Sequence, residues 1–220
     1  MSQLARPLAA ALLLGTALLG AGAAVHPLLA GDAAAQLRII AATSHWRALH
    51  LLMLAGSGLV IGGLWVRAVV DRSAHGDHSA SSAAPLLAAL AVIAIGMTLN
   101  ALNTAFMAGS GWHMAALFQQ GRDEMSSVFE ATHPIGLMAA RFGNFLVALG
   151  ALALGWLEWQ DASRPRWLAW LAWLAAAGGL VGVFFFDEAS RLALGAVALL
   201  SGWQVATAVR ALRGGATASP

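Results

Sequence analysis

The sequence feature that most constrains this chain is an apolar run of membrane-crossing length that also carries polar side chains. It extends from His133 to Trp156 and contains Arg141 and Asn144. A guanidinium inside a bilayer costs on the order of a few kcal/mol unless other groups satisfy it. At about 100° per residue, His133 and Asn144 fall within roughly 20° of each other on a helix. The run therefore predicts a transmembrane helix with one polar face.

Composition extends this interpretation to the whole chain. Of the 220 residues, 60% are hydrophobic and 10% are charged, whereas globular domains contain about 25% charged residues. Spans of about 20 residues and their loops fill this length, so we expect one integral-membrane domain covering residues 1–220. The basic residues are all Arg and the net charge is only +2, so nucleic-acid binding is not indicated. Because Lys and Cys are absent, Schiff-base cofactors, thiolate metal sites and covalent haem attachment are excluded.

The order of apolar and polar stretches predicts an all-α, polytopic bundle of six transmembrane helices in three up-down hairpins. The expected spans are residues 7–29, 46–70, 86–107, 133–157, 167–186 and 189–212. The first run also has the form of a secretory signal peptide, but it continues past the small-residue site and is interpreted as a span.

The sequence predicts a different structure for each of three segments that connect the spans. Residues 32–44 are too short to span and suit a short interfacial helix before the second span. Residues 71–83 are small and polar, which is typical of a loop. Residues 108–132 are too polar to span, so we expect one or two short surface helices there.

The distribution of arginines predicts the orientation of the chain. If the N-terminus is cytoplasmic, the inner side holds Arg6, Arg67, Arg72, Arg164, Arg166, Arg210 and Arg213, and the outer side holds Arg38, Arg47, Arg122 and Arg191. This asymmetry agrees with the positive-inside rule. We therefore expect an inner (plasma) membrane protein with both termini in the cytoplasm.

In this orientation the polar side chains of the spans gather in the outer half, and the inner halves are nearly featureless. The candidate ligand-binding residues are His50, His133, Arg141, Asn100, Asn103 and Asn144. The candidate metal ligands are His50, His133 and His113. On the third span, Met97, Asn100, Thr104 and Met107 follow helical spacing, so they form a stripe that can face the fourth span.

These residues also have structural interpretations. His26 and His45, at the ends of spans, are typical of interfacial, hydrogen-bonded side chains. Asparagines inside a bilayer often join helices. Arg141 would then be neutralised by Asp187 or Glu188.

Small residues at four-residue spacing predict where helices pack closely. Gly58 with Gly62 and Ala139 with Gly143 are two such pairs. Spacing of this kind lets helix backbones approach each other, and the same faces would suit a homo-oligomer.

Three classes of function are compatible with these features. The first is an accessory or assembly subunit whose polar outer-leaflet pocket receives a protein partner, a lipid head group or a quinone. The second is a membrane redox protein that holds a b-type haem or copper through His50 and His133, with Arg141 pairing with a haem propionate. The third is a lipid-modifying enzyme or a transporter that uses Arg141 and His133.

Overall fold

The computed structural model describes residues 3–75, 80–162, 164–185 and 192–213, which are largely α-helical and contain no strand. The helices are α1 (Ala5–Val25), α2 (Ala33–Ala42), α3 (Trp46–Leu64), α4 (Val66–His75), α5 (Ala80–Phe106), α6 (Trp112–Gln119), α7 (Glu124–Gln160), α8 (Arg166–Phe185) and α9 (Leu192–Arg213). A π-helical turn, Met107–Gly111, joins α5 to α6. The predicted all-α class is confirmed.

Four helical segments of the described chain are long and apolar enough to cross a membrane. They are Ala5–Val25, Trp46–Val70, Ala83–Gln119 and Glu124–Gln160. Each overlaps one of the first four predicted spans. The fold is therefore that of an all-helical protein whose length and composition suit a bilayer.

The long helices pack into a closed ring. In chain order, α1 packs against α3, α3 against α5, α5 against α7, α7 against α8 and α8 against α9, and α9 returns to α1. Leu12 near the start of α1 lies against Gly63 near the end of α3, whereas Gly22 lies against Met53. These pairings make α1 and α3 antiparallel. We call the end of the ring that carries α2 and α6 the α2 end, and the opposite end the α4 end.

Glycines allow the closest approach between α1 and α3. A Cβ added at Gly63 would lie 2.5 Å from the backbone nitrogen of Leu12, and one at Gly56 would lie 2.9 Å from the carbonyl oxygen of Gly15. Gly56 and Gly63 are seven residues apart, which is the spacing of a seam between two helices that cross at a small angle.

The α5–α7 crossing follows the same rule. Gly136, Gly143 and Gly150 recur every seven residues along α7. A Cβ at Gly143 would lie 2.5 Å from the carbonyl oxygen of Gly96 on α5. The two helices therefore touch through their backbones at this point.

The four-residue spacing predicted only part of this packing. Gly143 does lie at a helix crossing, but the prediction for Gly58 and Gly62 was wrong, because a Cβ at either position would meet nothing within 4 Å. On α3 the contact follows a seven-residue repeat through Gly56 and Gly63, so a four-residue pattern selects the wrong face.

Local chemistry explains where α1 ends and where α2 begins. Pro27 disfavours a helical conformation at the preceding residue, and His26 accordingly adopts φ −66° and ψ 124°, which ends α1 before the predicted residue 29. Gly31 has a φ of +90°, which suits glycine. The Asp32 side chain then accepts a hydrogen bond from the Ala35 backbone N–H at 2.8 Å, so it caps the N-terminus of α2.

Two connecting segments are shorter than expected. The predicted surface segment 108–132 is mostly a continuation of its neighbours, because α6 follows α5 through the π-helical turn and α7 already begins at Glu124. Helix also extends to His75 and resumes at Ala80, which narrows the expected loop at 71–83.

Helix α6 and the first turns of α7 have an apolar face, although the segment 108–132 is polar on average. A separate core at the α2 end buries Leu29, Leu37, Ile40, Trp46, Met107, Met114, Ala115 and Phe129. Helix α2 contributes Leu37 and Ile40 to this core and packs on α6 and α7. The burial of this stripe stabilises the extensions as helices.

The α4 end contains a buried ion-pair network, so the prediction that this half is nearly featureless was wrong. Arg67 of α4 pairs with Glu158 near the end of α7, and these residues are only 9% and 3% exposed. Arg164 Nη1 lies 3.5 Å from the second carboxylate oxygen of Glu158, and its Nε donates to Asp161 at 2.7 Å. Glu158 belongs to α7, which continues past residue 157, the predicted end of the fourth span.

Replacing Gly63 by Ala is expected to destabilise the protein, whereas Gly62→Ala is not. The added methyl at Gly63 would overlap the Leu12 backbone, and overpacking of this kind costs about 1–3 kcal/mol. At Gly62 the methyl has open space and favours helix by up to about 1 kcal/mol. Thermal unfolding of both variants in detergent measures the difference, and equal midpoints would contradict the tight α1–α3 crossing.

Glu158→Gln is expected to lower stability by about 3–5 kcal/mol, because it leaves the buried guanidinium of Arg67 without its carboxylate. The control is Glu124→Gln, since the Glu124 pair with Arg122 is exposed and such pairs contribute little. Thermal melts of both variants provide the comparison. A wild-type midpoint for Glu158→Gln would show that the network does not stabilise the fold.

Candidate functional site

Two histidines meet at the α2 end of the α1–α3 seam. His26 directly follows α1, and His50 lies in the second turn of α3. Their Nε2 atoms are 3.2 Å apart, and their rings are nearly perpendicular at 71°. His50 is buried and His26 partly buried. The two imidazoles therefore face each other inside the protein.

Trp46 orients this pair. Its ring centroid lies 4.4 Å from that of His50 and 5.0 Å from that of His26. His50 Nδ1 lies 2.9 Å from the backbone carbonyl oxygen of Trp46. Because a carbonyl oxygen only accepts, Nδ1 carries the proton, and Nε2 of a neutral His50 ring directs its lone pair toward His26.

The Trp46 side chain is fixed in turn by the π-helical turn. Its indole N–H donates to the carbonyl oxygen of Met107 at 3.0 Å, and the indole is fully buried. This bond joins the start of α3 to the end of α5. The position of the imidazole pair therefore depends on both helices.

His133 lies in a stack of aromatic rings. It is buried on α7, with its ring centroid 4.4 Å from that of Phe129 one turn earlier. The ring of Phe106 on α5 lies 6.2 Å from that of His133 and within 9° of parallel to it, and 6.5 Å from the ring of Phe129. The two ring nitrogens of His133 therefore lie close to two apolar aromatic rings.

Asparagines continue the polar face along the α5–α7 seam. Asn100 Nδ2 donates to Asn144 Oδ1 at 3.1 Å and lies 3.3 Å from the carbonyl oxygen of Gly96. The Asn103 side-chain oxygen is buried and has no hydrogen-bond partner among the described residues. It packs on Gly136, where a Cβ would lie only 2.5 Å from that oxygen. The predicted interhelical role of Asn100 and Asn144 is thus observed as a direct hydrogen bond.

The other predicted site residues lie in different surroundings. Arg141 is partly buried on α7, and its predicted partners Asp187 and Glu188 lie outside the described residues. His113 is exposed on α6. In the described part of the chain, no group of three or more His, Cys, Asp or Glu side chains is placed to hold a metal ion. The use of His50, His133 and His113 as ligands therefore stays a prediction.

Sequence reasoning missed His26, which was interpreted as an interfacial residue. Its depth could have been predicted, because in an antiparallel pair of helices the residue that follows α1 lies level with the first turns of α3. The rotation that turns it toward His50 could not. Sequence reasoning also missed the aromatic partners of the histidines, namely Trp46, Phe106 and Phe129, since membrane helices contain many aromatic residues and their pairing depends on helix rotation.

Comparisons with models of known protein families, with curated proteins and with solved structures give no match to this chain. The class that the fold defines is an all-helical protein with four helices suited to crossing a membrane.

Trp46→Phe is expected to loosen the α2 end while the rest of the bundle stays folded. The change keeps an aromatic ring but removes the hydrogen bond to Met107, a loss of about 0.5–1.5 kcal/mol. Hydrogen exchange should show reduced protection of the amides around Met107–Gly111. Trp167→Phe is the matched control, because that indole is 53% exposed, and identical exchange patterns in the two variants would contradict this assignment.

Proposed function

We propose that this protein is a multi-pass inner-membrane subunit whose outer half binds a neutral, ring-shaped amphiphile of the quinone class on the α5–α7 seam. The observation that carries the proposal is the cluster of three rings formed by His133, Phe129 and Phe106, whose centroids lie 4.4, 6.2 and 6.5 Å apart. A quinone needs flat apolar contacts for its ring and hydrogen-bond donors for its carbonyl oxygens, and this seam offers both.

The membrane topology is part of the proposal. Helices α8 and α9 serve as the fifth and sixth spans, and both termini lie in the cytoplasm. The α4 end, which carries Arg67, Arg164 and Arg166, is the inner side, in agreement with the positive-inside rule. The α2 end, with the histidines, is then the outer side.

Polar groups near the stack supply recognition without strong charge. Asn103 has a buried carboxamide oxygen beside Gly136, an acceptor that suits the hydroxyl of the reduced, quinol form of such a ligand. Phe106 packs near the same glycine. Asn100 and Asn144 continue the polar face one turn deeper. Arg141, which shares α7 with His133, adds a guanidinium donor. Apart from this one guanidinium the polar groups are uncharged, so the setting favours a neutral ligand over a multiply charged one.

The test is the affinity for decylubiquinone in detergent, measured by calorimetry. His133→Phe keeps an aromatic ring in the stack but removes both ring nitrogens, so the affinity is expected to fall about tenfold, which corresponds to ~1.4 kcal/mol. His45→Phe is the control, because His45 is exposed at the start of α3, and its affinity should equal that of wild type.

Analysis of the molecules that co-purify with the protein separates the alternatives. Recovery of quinone supports the proposal. Recovery of a phospholipid or a protein partner in its place, together with equal decylubiquinone affinity for wild type and His133→Phe, would overturn it.

A further inference from the structure

We propose that His26, His50 and Met53 form a binding site for one Cu(I) ion at the α2 end of the α1–α3 seam. This site is independent of the quinone proposal, which concerns the α5–α7 seam. The metal ligands predicted from sequence were His50, His133 and His113. The site proposed here shares only His50 with that set.

The helix crossing brings these three side chains to one place. His26 and His50 face each other through their Nε2 atoms at 3.2 Å. Met53 lies one turn after His50 on α3 and packs on Gly22, where a Cβ would lie 3.0 Å from the Met53 sulfur. Gly22 in turn lies one turn before His26 on α1. The thioether therefore lies in the same seam, about one helical turn from the imidazole pair.

The distance between the nitrogens suits a shared ion. Metal–nitrogen bonds of about 2.0 Å from two nitrogens at this separation meet at roughly 105°. That angle leaves a third position open on the metal. Met53 can occupy it, because an unbranched side chain with three rotatable bonds adapts to irregular spaces.

The donor types select copper. Imidazole suits several transition metals, whereas a thioether is a soft ligand that favours Cu(I). A structural zinc site normally needs four nitrogen, sulfur or carboxylate ligands. Among the described residues, no three His, Cys, Asp or Glu side chains are grouped so that they could hold a metal ion. Haem does not fit between His26 and His50, because the two rings are in direct contact.

The surroundings of the imidazoles match those of metal-binding histidines. The proton on His50 Nδ1 is held by the Trp46 carbonyl oxygen at 2.9 Å, which leaves Nε2 as the donor atom, and metal ligands are commonly oriented in this way. The Trp46 ring lies against both imidazoles. An aromatic face beside a monovalent cation adds a favourable cation–π contact.

The experiment is anaerobic titration of the purified full-length protein with Cu(I) buffered by bicinchoninate, followed by X-ray absorption at the copper edge. Wild type is expected to bind one Cu(I) per chain, with nitrogen and sulfur neighbours. His26→Leu should weaken binding by at least about 100-fold, because even partners that only orient a ligand contribute 10–100-fold. Met53→Leu should weaken it less and remove the sulfur signal.

Two control variants identify copper bound elsewhere. His113→Leu removes an exposed histidine of α6, and the double change His75→Ala with His78→Ala removes the other closely spaced pair in the sequence. Both should bind Cu(I) as wild type does. Equal binding by wild type and His26→Leu, or loss of binding in either control, would overturn the site.

Thermal melts show whether each variant is folded. If His26→Leu fails to fold, Met53→Leu still decides the question, because a sulfur signal that persists in it would overturn the assigned ligand set. Failure of the copper site leaves decylubiquinone affinity unchanged, so the two proposals are tested separately.

Discussion

The close approach of α5 and α7 at glycine determines the polar contact between these two helices. Where α5 crosses α7, Gly96 and Gly143 lie so near that an added Cβ would be 2.5 Å from the opposing carbonyl oxygen. One turn along α5, this approach lets Asn100 reach Asn144. Lipid supplies no hydrophobic force between helices, so close van der Waals contact has to stabilise the bundle. With larger residues in place of these glycines, the axes of α5 and α7 would lie farther apart, and Asn100 would not reach Asn144.

The two ends of the bundle use polar groups in different ways. At the α4 end the charged groups neutralise one another, since Glu158 is shared between Arg67 and Arg164, and a buried network of this kind satisfies itself. At the α2 end the groups are imidazoles packed against aromatic rings, and amides follow along the α5–α7 seam. Because these groups are uncharged, a hydrogen bond to a neighbouring side chain can be replaced by one to a ligand without leaving a buried charge unpaired. The charged groups at the α4 end are thus paired with one another, and both proposals rest on the uncharged groups at the α2 end.

The sequence predicts the helical class and most of the helix positions, because apolar runs of membrane-crossing length leave few alternatives. It does not predict which face of each helix is buried. Glycine is abundant, so the choice between four- and seven-residue spacing cannot be made locally, and Gly62 was preferred to Gly63 for that reason. The buried role of Glu158 was missed because an acidic residue near a helix end also suits a loop. The pairing of His26 with His50 depends on the rotation of α1 against α3, which hydropathy does not contain.

The side chain of Trp46 joins the two seams that carry the polar groups. Trp46 packs on His26 and His50 and donates to the carbonyl oxygen of Met107. The residue before Met107 is Phe106, whose ring stacks with His133. The acceptor lies in a π-helical turn, where backbone hydrogen bonding departs from the regular α pattern, and such turns often occur at functional sites. Any movement of Trp46 therefore changes the environment of the imidazole pair and of the aromatic stack together.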